Sequence, residues 1–179
     1  MLKGMIYDAN NDPRLIAERA ECKELCHDYN HLRPKDVVGR RKIIMELLGS
    51  VKGNFLIEQP FLCDYGYNIH IGDNFYANHN LVILDGATVK FGDNVFVAPN
   101  CGFYTAGHPI DAAERNKGLE YARPITVGND VWIGGNVCVL PGVTIGDDCV
   151  IGAGSVVVKD IPPHSVAVGN PCKVIKKIK

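Results

Sequence analysis

The 179-residue chain contains no run of 18 apolar residues, so no segment is expected to cross a bilayer as a helix. Its opening stretch, MLKGMIYDANNDPR, lacks the apolar core of a secretion signal. Charge of one sign is not in excess either: 19 basic and 20 acidic side chains leave a formal net charge of −1. That balance offers no global attraction for nucleic acid or a membrane surface. No CxxC pair occurs among the seven cysteines (Cys22, Cys26, Cys63, Cys101, Cys138, Cys149, Cys172), and their number is odd. A disulfide framework is thereby disfavoured, and reduced thiols in the cytoplasm are the expectation. Cys22, Cys26 and His27 hint at a metal, but no second ligand cluster follows them in the chain. A plain helix face is the preferred reading there, with no metal required.

Two regions differ sharply in what they do contain. Residues 1–52 read as a helical segment and 53–179 as the main β domain. Asn11 or Asp12 can cap a first helix with Pro13 at its first position, through RLIAERAECKELCHDYN. HLRP breaks that run. Pro34 and Asp36 open a second helix, with Val37, Arg41, Ile44 and Leu48 at helical spacing and Gly49 at its end. From Gly53 the chain turns to Gly, Val, Ile, Asn and Asp, and it repeats. Val127, Ile133, Val139, Ile145, Ile151 and Val157 recur every sixth residue. The series Val131, Val137, Val143, Cys149, Ser155 keeps the same step, and Ile71, Ala77, Ile83 and Phe91, Val97, Phe103 repeat it earlier. The phrases IGDN (71–74), FGDN (91–94), VGND (127–130) and IGDD (145–148) mark one corner in successive coils.

A period of six suits neither a helix nor a half-buried strand. It fits a short strand plus a corner, three of which close a triangular coil with aliphatics stacked inside and Gly, Asn or Asp at the turns. The prediction is a solenoid rather than ordinary antiparallel strands. The rhythm lapses between Phe103 and Val127, so about 104–124 must leave the coil as a loop. That loop carries His108 with Asp111, Glu114, Arg115, Lys117, Glu120 and Arg123. Pro109 restrains the backbone of His108.

These repeats, with TAGHPIDAAERNKGLEYARPITVG (105–128), WIGGNVCVLPGVTIGD (132–147), VGNPCKVI (168–175) and the start YDANNDPRLI, resemble the hexapeptide-repeat acyltransferases. Within them the sequence is most similar to the maltose and galactoside O-acetyltransferases. The resemblance implies a homotrimer of left-handed parallel β-helices, a hand the period cannot supply. It implies acetyl transfer from acetyl-CoA to a hydroxyl of a sugar such as maltose, glucose or a galactoside, by direct attack. Such a reaction needs a base, an oxyanion donor and a means of holding two substrates together.

His108 matches the family's general base. Asp8, Asp64, Asn78 and Asp85 match residues that line its sugar pocket or flank the histidine, although a corner Asp in a turn explains Asp85 nearly as well. Gly135, Ala153, Val158 and Lys159 match positions along the pantetheine arm, and Lys173 and Lys176 sit where basic residues approach the CoA phosphates. Lys177 and Lys179 read as a solvated basic tail. Two departures matter. Galactoside-type sequences continue with a second aspartate where this chain has Gly86. They carry a hydroxyl at the position of Gly135, so here a backbone N–H or Asn78 must stabilise the oxyanion. Trp132 fits a ligand wall or a trimer contact equally well, and Cys101 and Cys138 read as buried packing rather than nucleophiles. Rival readings are transfer to serine or an antibiotic, a gamma-class carbonic anhydrase using His70, His79 and His108, and a trimeric scaffold without activity.

Overall fold

The six-residue step builds a three-sided coil in the computed structural model, which describes residues 4–178. Val127, Ile133, Val139, Ile145, Ile151 and Val157 all point inward, none more than 1% exposed. The second series, from Val131 to Ser155, is buried beside them. Each hexad is one short strand and one corner. Successive coils pair in parallel, with Val127 opposite Ile145, Ile133 opposite Ile151 and Val139 opposite Val157. Like side chains therefore stack upon like, and the molecule is a left-handed parallel β-helix.

The first side of the triangle stacks strands Ser50–Val51, Ile69–Ile71, Val89–Phe91, Ile125–Val127 and Thr144–Ile145. The second side runs from Phe55–Ile57 to Ser165–Val168, and the third from Phe61–Cys63 to Val156–Val157. The first rung, Ser50–Val51, thus lies within the segment read from sequence as helical.

Two of the three corners are repeated. Where the first side meets the second, Asn74, Asn94, Asp130 and Asp148 adopt φ of 54, 56, 57 and 50°. Asn80, Asn100 and Asn136 do the same at the next corner, with φ of 62, 60 and 58°. Short amide and carboxylate side chains tolerate this left-handed conformation and bond locally. They also form ladders: Asn74 donates to Asn94 Oδ1 and Asn94 to Asp130 Oδ1, each at 2.9 Å.

The third corner is different. Cys63 to Ile71 and Ile83 to Phe91 each span eight residues where the usual step is six, so residues 64–68 and 84–88 bulge outward. One coil later the same corner releases residues 105–124. The coil then resumes in register, with Ile125 opposite Val89.

The ends of the stack are covered. Helix α1 (Pro13–His31) starts at Asp12, whose side chain accepts from the N–H of Arg14, with Pro13 first in the helix. Helix α2 (Val37–Leu47) starts at Asp36, which accepts from Gly39 N–H at 2.9 Å. Cys22, Cys26 and Tyr29 from α1 and Ile44 and Leu47 from α2 join the apolar interior of the first coil. Arg40, also buried, donates to the Ile57 carbonyl at 2.7 Å and to Glu58 at 3.1 Å. At the other end Lys173–Lys177 folds back antiparallel on Ser165–Val168 and closes that edge. No helix among the described residues is long and apolar enough to cross a membrane.

Candidate active site

The excursion from the third corner is pinned at its base by one residue. Thr105 is buried; its hydroxyl donates to the Leu84 carbonyl at 2.7 Å and accepts from Ala87 N–H at 2.9 Å. Its carbonyl accepts from Arg123 N–H at 2.9 Å, which ties the loop's exit to its start. Between these points Ala106–Gly107 pairs antiparallel with Leu119–Ala122, and a single helical turn, α3 (Ala112–Arg115), begins at Asp111. Tyr7–Asp8 adds a third strand, with Tyr7 opposite Glu120. The N-terminal segment is thereby part of the site's wall.

His108 follows this small sheet. Its Nδ1 lies 3.0 Å from the Leu119 carbonyl, which can only accept, so Nδ1 carries the hydrogen of the neutral ring. Nε2 then holds the free lone pair, and the side chain is 50% exposed. Glu120 Oε1 stands 3.9 Å from Nε2, too far for a hydrogen bond but in place to pair with a charged ring. Glu120 Oε2 accepts the Tyr7 hydroxyl at 3.1 Å. Burial, then the Glu120 charge, push that phenol well above its ordinary range, so it remains a donor.

Glu120 also lines a polar cleft of about 130 Å³ with Tyr7, Asn10, Arg19, Asp64 and Tyr65. That is room for about four waters, or for part of a small polyhydroxyl molecule. Arg19 reaches in from α1 and donates to Tyr65 Oη at 2.8 Å and to the Ala9 carbonyl at 2.6 Å. Burial raises the Asp64 carboxyl above its ordinary value, with Arg19 opposing. Tyr7, Arg19 and Tyr65 carry no mark in the local sequence. The one available signal was the eight-residue step, because the surplus residues hold Asp64, Tyr65, Asp85 and Gly86.

The four residues expected on the acceptor side fare differently. Asp64 lines the cleft. Asp8 lies beside it, but Oδ1 accepts from the N–H groups of Asn10 and Asn11 at 3.2 and 3.0 Å, organising the turn into α1. Hydrogen bonds from Asn11 foremost hold its carboxyl low. Asp85 is fully buried at the third corner. Its Oδ1 accepts from the N–H groups of Asp64 and Tyr65 at 3.0 and 2.9 Å, while Oδ2 has no protein partner among the described residues. Burial pushes its carboxyl up to about 6 against those hydrogen bonds. Asp85 therefore shapes the corner that presents Asp64. Asn78 is not beside His108; it lies at the second corner, where its Oδ1 accepts from His79 N–H.

Gly135 and Ala153 share that second corner, after Trp132–Ile133 and Cys149–Ile151. A Cβ at Gly135 would come no closer than 3.4 Å, to the Pro99 carbonyl, so packing alone does not demand glycine there. Val158 and Lys159 follow Val156–Val157 at the third corner. Lys173 and Lys176 are exposed on the terminal hairpin. Lys177 is anchored rather than free, donating to Ser165 Oγ at 3.0 Å, and Lys179 lies outside the described residues. One chain thus divides the expected site between two corners. Gly86 faces Tyr7: a Cβ there would stand 3.0 Å from the Tyr7 hydroxyl.

The other histidines are dispersed. His70 bonds Ser50 Oγ on the first side, and His79 bonds the Gln59 carbonyl at the second corner, so the chain alone assembles no set of three with His108. Burial pushes the thiols of Cys101 and Cys138 up, in keeping with packing rather than nucleophilic roles.

Residues 1–53 match the family model described as maltose acetyltransferase hexapeptide capping motif. Residues 124–159 match that described as bacterial transferase hexapeptide (six repeats). The Saccharomyces cerevisiae protein YJL218W, whose acetyltransferase activity is itself only proposed, is 62% identical over 178 residues, spanning 99% of this chain and 91% of that one. A crystal structure of a maltose O-acetyltransferase from Clostridium difficile 630 superposes with a TM-score of 0.98 at 53% identity, covering 99% of this chain and 95% of that one. A galactoside acetyltransferase in complex with coenzyme A superposes with a TM-score of 0.96 at 47% identity, covering 99% and 88%.

Proposed function

The chain belongs to the hexapeptide-repeat acetyltransferases, and on that premise we propose that it transfers acetyl from acetyl-CoA directly to a hydroxyl of a sugar such as maltose, glucose or a galactoside. The observation that carries this reading is His108. Its Nδ1 is committed to a backbone carbonyl, and its free Nε2 stands 3.9 Å from Glu120, a residue that lines the polar cleft.

In this mechanism Nε2 removes the hydroxyl proton as the oxygen attacks the thioester carbonyl. The tetrahedral oxyanion collapses, the C–S bond breaks, and the leaving CoA sulfur takes the proton back from the imidazolium. Glu120 and the Leu119 carbonyl steady the ring while it is charged. The cleft offers donors and acceptors from Tyr7, Arg19, Asp64 and Tyr65 to a polyhydroxyl acceptor. Gly86 stands where galactoside-type sequences carry a second aspartate, and a Cβ there would already crowd the Tyr7 hydroxyl at 3.0 Å, which argues against strict galactoside specificity. The coenzyme A bound in the galactoside acetyltransferase structure supports the donor assignment. Gly135, Ala153, Val158 and Lys159 would meet the pantetheine arm, and Lys173 and Lys176 its phosphates.

Two features support a homotrimer with sites between subunits. On the second side Leu56, Tyr76, Phe96 and Trp132 stand in register and face outward; Leu56 and Phe96 are each 43% exposed and Trp132 57%. Such an apolar strip favours burial against a copy, whereas the first side presents Ser50, His70, Lys90 and Thr126. Packing copies around that strip would bring one chain's second corner, with Asn78 and Gly135, toward the next chain's His108. A backbone N–H or Asn78 could then serve the oxyanion.

The test is an acceptor screen with acetyl-CoA, reading released thiol over maltose, glucose, a galactoside, serine and an aminoglycoside, with light scattering of the same sample. Turnover with a sugar by a trimer is expected. Turnover with serine or the antibiotic alone, or an active monomer, would overturn the corresponding part.

A further inference from the structure

Far from His108 in chemistry, the first coil contains a group of side chains that acetyl transfer does not use. Cys22 and Cys26, one helical turn apart on α1, meet Cys63 at the end of Phe61–Cys63. Cys22 Sγ lies 3.5 Å and Cys26 Sγ 3.8 Å from Cys63 Sγ, and all three sulfurs fall within 4.8 Å of one another. All three are buried. His27, their neighbour in sequence, is no part of this group; it is exposed and its ring packs on His31.

We propose that Cys22, Cys26 and Cys63 form a three-thiolate site for a soft monovalent cation of the Cu(I) class, which would fasten α1 to the first coil. Metal–thiolate bonds of about 2.3 Å place sulfurs roughly 3.8–4.0 Å apart in tetrahedral or planar arrangements. The separations present therefore need only small adjustments. Among the described residues no histidine or carboxylate completes a fourth position. Structural zinc is almost always four-coordinate, whereas soft thiolates alone suit Cu(I).

A path from solvent exists as well. Glu18, Glu21, Cys22, Leu25, Glu46 and Tyr65 help line a groove of about 290 Å³ between α1, α2 and the third corner. Glu18 is already engaged by Arg14 and Tyr67. The exposed Glu21 and Glu46 remain to draw cations toward Cys22. Without metal, hydrogen bonds from its two neighbours and burial push the Cys63 thiol up. Loading breaks the remaining S–H bonds, whose protons pass to solvent, forms three S–Cu bonds and moves no electrons.

The experiment titrates the reduced full-length protein anaerobically with Cu(I) against a colorimetric Cu(I) chelator. The expected result is one tightly held equivalent per chain, thiolate-to-copper absorption in the ultraviolet, and a Tm raised by a few degrees because the ion binds only the folded state. Cys22→Ala and Cys26→Ser should lose all three, while Cys138→Ala keeps them. Should Cys22→Ala fail to fold, Cys26→Ser, closer in size and polarity, decides the matter together with the wild-type Tm. Failure to compete with the chelator, equal binding by both variants, or binding of Zn(II) in preference to Cu(I) would overturn the proposal. A disulfide that forms in air without copper affinity would overturn it too.

Discussion

The coil stack and the small sheet perched on its third corner are built by opposite rules. In the stack every rung repeats, and pairing joins residues such as Val127 and Ile145 that are one coil apart. In the small sheet nothing repeats, and Tyr7 bonds Glu120 across 113 positions. Closing such a distance costs chain entropy that a single contact cannot offset, so this sheet depends on the coil already being formed. The stack contributes rigidity and register, and the irregular parts contribute polar groups aimed into one cleft. Stability and turnover should therefore respond to different residues.

The sharpest way to break that division is to cut a rung. Ile133 is fully buried between Val97 and Ile151. Ile133→Ala should cost about 2–5 kcal/mol of unfolding free energy. Urea denaturation measures the loss, and a sample that remains folded should keep its KM values. On the other side of the comparison, His108→Ala should lower kcat about 100-fold or more while the circular dichroism and urea midpoint stay unchanged. Near-native turnover with a sugar acceptor would remove His108 from the mechanism.

Asp85 lies between the two regions, and its effect is intermediate. Its carboxyl stands at about 6 in the fold against an ordinary 3.8, so the folded chain holds the proton more tightly. This group's contribution to stability is complete below about pH 4 and is lost as the pH rises through about 6, on the order of 3 kcal/mol. Asp85→Asn keeps an oxygen to accept from Asp64 and Tyr65, and it should flatten that part of the stability profile in urea melts from pH 4 to 8. An unchanged slope would show that the buried carboxyl does not titrate in this range. The smallest effect is expected at the terminal hairpin. Lys173→Ala and Lys176→Ala should each raise the KM for acetyl-CoA a few-fold and leave kcat and the sugar KM alone. Added salt should weaken the wild-type donor interaction in the same direction, since exposed lysine–phosphate pairs are screened. A change confined to the sugar KM would move the donor away from these coils.

Legibility followed the same division. Val127 through Val157 announced their burial by spacing alone, and Asp12, Pro13 and Asp36 marked the helix starts, because these signals are local. Handedness was beyond the period and came from resemblance. His108 stood out because it sits where the rhythm fails. Arg19 and Tyr65 did not, since only the docking of α1 on the first coil brings them together. The burial of Asp85 was not legible, because a corner carboxylate looks the same in sequence whether it faces solvent or accepts from the backbone beneath. Asn78 and Gly135 share a corner away from His108, a separation that six-residue spacing cannot convey. Cys63 was missed as a neighbour of Cys22 because 41 positions separate them.

The widened third corner also bears on how such a molecule can change over generations. Two surplus residues in the first coils and a whole excursion in the third leave every neighbouring rung in step, as Ile125 opposite Val89 shows. Extra residues, ordinarily disruptive inside a β domain, are taken up at this vertex without a change of register. The segment carrying His108 can therefore change in length while the rest of the solenoid keeps its register.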